Sequence, residues 1–238
     1  MTTWVLVHGT PLSPAVWDGV SSRLTDQPVV CPDVSHLPDG VDVQATVAGR
    51  LAPSLPPGRW DLVGHSFGGQ IVLELALAQP ERVRSLTVLC SRDTPFPAFA
   101  AVADAVAAGK GPTVEAGLAR WFVPAELAAH GDAVARAAAD LTVAHRAPRD
   151  WARALRAIST FDRAAEAATL DVPVTLLAQR HDGVSTPEVM AAFAGRLPRA
   201  VLHVGDGAHM SPFVDPAQLT RSLVSFRDDA CTRGGPRR

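Results

Sequence analysis

Apolar residues in this chain come in two textures. Short β-branched runs at 3–7, 29–31, 61–63, 85–89, 174–178 and 200–204 alternate with longer stretches rich in alanine and leucine. None of the short runs shows the every-second-residue alternation of a strand with one wet face. Continuous apolar runs of this length suit strands covered by helices on both sides. The pattern therefore predicts an α/β fold: a mostly parallel sheet of about six strands with flanking helices. The segment 70–79 is apolar nearly all round, is interrupted mainly by Glu74, and ends at Pro80, which predicts a buried helix with an abrupt stop.

Between the fourth and fifth runs lie roughly eighty residues, far more than one crossover connection uses. From 99 to 168 the spacing is helical, as in Val102/Val106 and Leu155/Ile158, and Gly109-Lys110-Gly111-Pro112 and Ala147-Pro148 divide the stretch into pieces. The expected organisation is an α/β core at 1–90 and 172–226 with an inserted helical cap, or lid, at 91–171. A disordered tail is expected at 227–238, where Asp228, Asp229, Gly234, Gly235 and Pro236 occur without a large apolar side chain.

Composition narrows the function classes. With 47% hydrophobic and 19% charged residues in 238, the chain can build a large core. A formal net charge of −2 offers no basic stripe, so nucleic acid is not an expected partner. No uncharged apolar run reaches membrane-spanning length, and Met1-Thr2-Thr3 leads directly into the first apolar run with no targeting segment. Cys31, Cys90 and Cys231 are widely spaced and odd in number, which excludes a disulfide framework and favours a reducing, cytoplasmic setting.

The strongest chemical signal is Gly64-His65-Ser66-Phe67-Gly68, placed between the 61–63 run and the helix predicted at 70. A turn this tight from strand to helix strains its central residue and needs small neighbours. It would lift the Ser66 hydroxyl above the sheet edge at a helix N-terminus, where backbone N–H groups favour a developing anion. A glycine-rich helix entry with a capping serine is the plain alternative. A dinucleotide loop fits less well, because G-x-G-x-x-G needs glycine at the position of Ser66. A nucleophilic serine also needs a base and a group to orient the base. After the 200–204 run comes Gly205-Asp206-Gly207-Ala208-His209-Met210, and after the 174–178 run comes Gln179-Arg180-His181-Asp182-Gly183. Both loops belong on the carboxyl edge of the sheet, the edge of Ser66, which makes Ser66, Asp182 and His209 the catalytic candidates.

With these residues, the chain resembles the α/β-hydrolase fold family, over nearly all its length to about Phe226. Val5-Leu6-Val7-His8-Gly9-Thr10 is similar to the family's first-loop His-Gly pattern. The resemblance implies that the backbone N–H groups of Thr10 and Phe67 form the oxyanion hole. Gln79-Pro80-Glu81-Arg82-Val83 and His209-Met210-Ser211-Pro212 resemble positions flanking the nucleophile helix and the catalytic histidine. Arg120-Trp121-Phe122-Val123-Pro124, and Ala157-Ile158 leading to Asp162, resemble the cap of 3-oxoadipate enol-lactonases and cofactor-free haloperoxidase-type esterases. The loop Pro32-Asp33-Val34-Ser35-His36 departs from the family in lacking a glycine-rich ending. The chain opens at the strand that larger members count as their third, as the compact plant esterase and hydroxynitrile-lyase branch does. Asp93 is a second candidate for the triad acid, since some members place theirs after the strand at 85–89; Asp182 is preferred for its commoner position and the turn it heads with Gly183.

The resemblance implies a cofactor-independent serine hydrolase acting on a small or medium carboxylic ester or lactone. The rivals are a non-hydrolytic enzyme on the same scaffold (lyase, cyclase, C–C bond-cleaving or acyl-transfer) and a ligand-binding receptor that keeps the triad. Substrate-binding candidates are His36, Phe96, Trp121, Phe122, Trp151 and Met210, with Arg92, Arg120 and Arg153 the nearest cations by sequence. His8 and His65 are expected to brace the active-site loops through backbone hydrogen bonds, and His203 to be a satisfied strand residue. His130 and His145 have no metal-ligating partner at helical spacing. No zinc-like Cys/His spacing or phosphate-cradling loop occurs, so no metal or cofactor is expected.

Overall fold

The computed structural model describes residues 1–129 and 131–233. Strands β1 (Thr2–Val7), β2 (Val29–Val30), β3 (Arg59–His65), β4 (Val83–Leu89), β5 (Val174–Gln179) and β6 (Ala200–Gly205) form one sheet in the order β2-β1-β3-β4-β5-β6. Every neighbouring pair is parallel. The helices are α1 (Asp18–Ser21), α2 (Val43–Leu51), α3 (Phe67–Ala78), α4 (Ala98–Ala107), α5 (Val114–Trp121), α6 (Pro124–Ala129), α7 (Asp132–Arg146), α8 (Pro148–Thr160), α9 (Ala164–Ala167), α10 (Pro187–Arg196) and α11 (Pro216–Arg233).

Both sheet faces are covered, which is why the strands read as unbroken apolar runs. Val5, Val7, Leu62 and Leu86 pack with Ile71 of α3 and Phe193 of α10 on one face. Trp4, Leu6, Val63 and Leu89 point to the other, against Trp17 and against Leu219 and Leu223 of α11. Strand order reverses at β1, which lies between β2 and β3. In open parallel sheets such a switch point leaves a crevice beyond the carboxyl ends of the strands. The register there pairs Val7 with Gly64 and His65 with Leu89, so the loops that follow β1, β3 and β4 leave the sheet side by side.

Three expectations are corrected. Helix α3 begins at Phe67, not at 70, and runs through Gly68 and Gly69. Glycine is a poor helix former, so the pattern hid this first turn. It is needed because a Cβ at Gly68 would collide with the carbonyls of Val7 and His8, preventing α3 from lying against β1. Strand β2 is only Val29–Val30, without Cys31. The supposed tail is helical as far as Arg233: α11 continues, and Arg227 pairs with Asp26 and Asp228 while lying over the Trp4 ring at 5.1 Å. Residues 234–238 of that expected tail, and His130, lie outside the described residues.

Helices α4 to α9 occupy the interval between β4 and β5. They carry their own apolar cluster, including Ala103, Val106, Leu141, Trp151 and Leu155. Among the described residues no helix is long and apolar enough to cross a membrane.

Candidate active site

Ser66 stands between β3 and α3 with φ 54° and ψ −121°. This region is strained for any residue with a Cβ and is held by its surroundings. The Ser66 amide donates to Leu89 O at 2.9 Å, and its carbonyl accepts from Gly69 N at 2.8 Å and from Ser91 Oγ at 2.6 Å. The turn is tight: a Cβ on Gly64 would run into Val72 and the Gly68 carbonyl. Across the crevice, His8 and Gly9 leave β1. His8 donates from Nδ1 to Gly9 O at 2.8 Å and accepts at Nε2 from Val34 N at 3.0 Å, bracing this loop against the 32–36 segment. The Thr10 amide in that loop and the Phe67 amide at the first turn of α3 donate to no other described group. Both are therefore available to an anion near Ser66.

Asp182 follows β5 and is buried. Its Oδ1 accepts from the amides of Val184 at 2.8 Å and Ser185 at 3.1 Å, and its Oδ2 lies 2.7 Å from His209 Nδ1. Burial alone would raise the Asp182 pKa, but the charge and hydrogen bond of His209, with the two amides, outweigh it and hold it at about 2. The ionised carboxylate can only accept, so the Nδ1 proton of His209 is fixed and Nε2 is left as the basic nitrogen. Ser66 Oγ has no hydrogen-bond partner among the described residues. Such contacts are commonly long in sites without substrate. Asp93 is also buried, but Arg196 holds both its oxygens at 2.7 and 2.6 Å, so it serves an ion pair away from His209.

The loop carrying His209 is anchored on three sides. Gln179 Oε1 accepts from Gly207 N at 2.9 Å. His65 Nε2 donates to the His209 carbonyl at 3.0 Å. The third anchor comes from the end of α5 and the start of α6: Met210 N donates to Trp121 O at 2.8 Å. There Ser211 Oγ donates to Glu126 Oε2 at 2.8 Å and accepts from Ala208 N at 2.7 Å. Sequence reasoning missed Glu126 and Ser91; neither belongs to a motif, and only the fold reveals their partners. Burial, and then the His209 ring, pull the His65 pKa down to about 3, so His65 is a neutral brace. Ligand atoms of His65, Cys90 and His209 lie within 4.8 Å of one another. They make a poor metal site. Burial pushes the Cys90 thiol well above its usual pKa, so it offers no thiolate to a cation.

Ser66, Asp182, His209 and Thr10 line one cavity of about 70 Å³, roofed by Phe99, Val102, Trp121, Leu141, Trp151, Leu155 and Ile158. Of the expected substrate-binding residues it includes Trp121 and Trp151. The others are corrected. Phe122 turns into the core beside Leu6, and Met210 is buried there too, contributing its amide rather than its side chain. Phe96 stacks edge-on behind Phe99, which takes the lining position. His36 is 90% exposed and lies on a separate cavity of about 190 Å³, which shares Thr10 and Trp151 with the first. His203 also departs from expectation: it is exposed on edge strand β6, stacked on Phe226. A larger groove of about 660 Å³ between the 38–44 segment and α8 does not include Ser66. Its arginines are already paired, Arg153 with Asp39, Arg156 with Asp104 and Arg163 with Glu74.

Comparisons with known proteins identify the fold and the family. RutD of Pseudomonas syringae pv. syringae, named as a carbamate hydrolase, is 32% identical over 183 residues, which cover 74% of this chain and 70% of RutD. A pimeloyl-[acyl-carrier protein] methyl ester esterase of Nitrosomonas europaea is 34% identical over 96 residues, 37% of this chain and 36% of its own. Among solved structures, the enol-lactonase of Burkholderia xenovorans superimposes with a TM-score of 0.84 at 21% identity, covering 95% of this chain and 91% of its own. A thermophilic esterase of Thermogutta terrifontis gives 0.82 at 23%, covering 97% and 90%. Residues 41–216 match the family model described as alpha/beta hydrolase fold. Matched from just before α2, through the loop of His209, to the start of α11, this chain belongs to the α/β-hydrolase fold family.

Proposed function

We propose that this protein is a serine hydrolase that cleaves a small carboxylic ester or lactone through an acyl-enzyme. The observation that carries the reading is one cavity lined by a strained serine at the β3–α3 turn and by a histidine whose Nδ1 is held by a buried, ionised carboxylate. Ser66 Oγ attacks the carbonyl carbon while Nε2 of His209 takes its proton, and Asp182 stabilises the resulting imidazolium. The amides of Thr10 and Phe67 receive the negative charge of the tetrahedral intermediate. His209 then protonates the leaving alcohol. In the second half-reaction it draws a proton from water, which frees the acid and restores Ser66. These steps call for no cofactor. The free thiols of Cys31 and Cys90 suit a reducing compartment such as the cytoplasm.

The RutD relatives put carbamates beside esters and lactones in the substrate panel. The test is turnover of p-nitrophenyl acetate and butyrate together with labelling by a serine-directed phosphonate. Turnover with the label on Ser66 supports the hydrolase, and Ser66→Ala should lower kcat on the order of 10⁶-fold. A Ser66→Ala protein keeping a tenth of the rate would overturn the assignment. Labelling without turnover would point to a lyase or receptor on the same scaffold.

A further inference from the structure

We propose that Arg120 is an anion-binding group of this cavity, and that the acyl part of the substrate carries a carboxylate. The proposal rests on the serine-hydrolase reading above for the word substrate, though not for the binding site itself. Apart from Asp182 and His209, the one ionisable side chain among the described residues on the cavity wall is Arg120. The wall is otherwise apolar, with Val102, Leu141, Leu155 and Ile158 among its members.

Arg120 is placed there by its helix. Gly117, Arg120 and Trp121 are three and four positions apart on α5, share one face, and all line the cavity. Gly117 keeps α5 close to α7, since a Cβ there would sit 2.9 Å from Leu141 Cδ1. No described carboxylate lies within ion-pair distance of Arg120, and its guanidinium makes no hydrogen bond with described residues. The other two nearby cations are taken. Arg92 donates to Thr94 O at 2.8 Å and Val184 O at 3.0 Å, and Arg153 donates to Leu37 O at 3.0 Å and pairs with Asp39.

Charge accounting points the same way. Asp182 stays ionised beside a histidine that must be neutral to act as base, so without a cation the cavity would repel an anion. Arg120 is exposed and also lines the cavity, so its charge is retained without a protein partner. A lone guanidinium matches a carboxylate with two parallel hydrogen bonds. A phosphate dianion would call for more positive charge, and no second cation lines this cavity among the described residues.

The test compares monomethyl glutarate with methyl pentanoate, two methyl esters of equal acyl length that differ in the terminal carboxylate. Wild-type protein is expected to favour the anionic ester, and Arg120→Gln to lower the ratio of the two kcat/KM values roughly 10- to 100-fold. Arg120→Lys should recover part of that ratio. A second readout needs no turnover: glutarate titrated against intrinsic tryptophan fluorescence should bind wild-type protein and bind Arg120→Gln at least ~10-fold more weakly. Thermal melts check that both variants fold. Glutarate binding that depends on Arg120, with neither ester hydrolysed, would sink the hydrolase reading and keep this one. Ester turnover with no preference for the anion, or glutarate affinity indifferent to Arg120, would overturn the carboxylate site and leave the hydrolase reading standing.

Discussion

Asp93 and Asp182 show how one residue type takes two roles from its surroundings. Asp182 gives one oxygen to two amides and the other to His209, whereas both oxygens of Asp93 are spent on Arg196. Asp182→Asn should therefore lower kcat by about 10⁴-fold, because an amide cannot hold the tautomer that leaves Nε2 basic. Asp93→Asn should keep its activity per folded molecule and lose about 1–3 kcal/mol of stability. Paired kinetics and denaturant melts decide it, and a severe kcat loss in Asp93→Asn alone would reverse the roles. His65 carries a pH signature. Its pKa falls from 6.5 to about 3 on folding, so between those values the unfolded chain binds a proton that the folded chain refuses. Stability then drops as pH falls through this window, by up to ~1.4 kcal/mol per pH unit from this group. His65→Gln keeps a donor for the His209 carbonyl and removes the titration. Its Tm should decline less steeply below pH 6.5 than that of wild-type protein. Parallel Tm profiles would mean that His65 does not titrate as described.

Elements were legible where one force set the pattern. Six apolar runs became six strands: burial on both faces of β1, β3, β4 and β5 leaves little freedom for polar positions, while the edge strands β2 and β6 are only partly covered. The strand–turn–helix placement of Ser66 was readable because a tight turn needs small residues and the chain supplies Gly64 and Gly68. The start of α3 was not readable, since the glycines that permit its contact with β1 are also poor helix formers. Nor was the tie between the 121–126 segment and the His209 loop, which joins side chains distant in sequence. That tie carries a prediction. Ser211→Ala removes the hydroxyl that links Glu126 to the Ala208 amide and should loosen His209 without touching the apolar roof. The expected result is a fall in kcat of roughly tenfold, the scale of one lost hydrogen bond to a charged group, with KM changing less. Ser211→Thr should restore most of the loss. Equal losses in kcat for both variants would mean the contact matters only for packing.

At the scale of the whole molecule, the sheet delivers its loops to one edge and helices α4 to α9 decide what can reach them. The edge was legible from the motif and from the loops that follow the apolar runs. The roof was not, because aromatic residues in an amphipathic helical segment give no sign of which face turns inward: Phe122 went to the core and Trp121 to the cavity. Trp151 holds the most consequential position. It lines both the cavity of about 70 Å³ at Ser66 and the neighbouring cavity of about 190 Å³, and Thr10 lines both as well. The indole thus stands as a partition beside the loop of Thr10, and on the proposed reaction the small compartment it bounds would limit the acyl chain. Wild-type protein should hydrolyse acetate and butyrate esters well and octanoate esters poorly, and triolein emulsions and peptides hardly at all. Removing the partition should join the two spaces. Trp151→Ala should move the optimum toward hexanoate and octanoate esters, at a stability cost of about 3–5 kcal/mol for a buried aromatic, with Trp151→Leu intermediate in both respects. Chain-length profiles of kcat/KM on a p-nitrophenyl ester series, measured below the melting temperature of each variant, give the answer. An unchanged optimum in both variants would mean that the acyl chain leaves the site by another route and that Trp151 supports the fold alone.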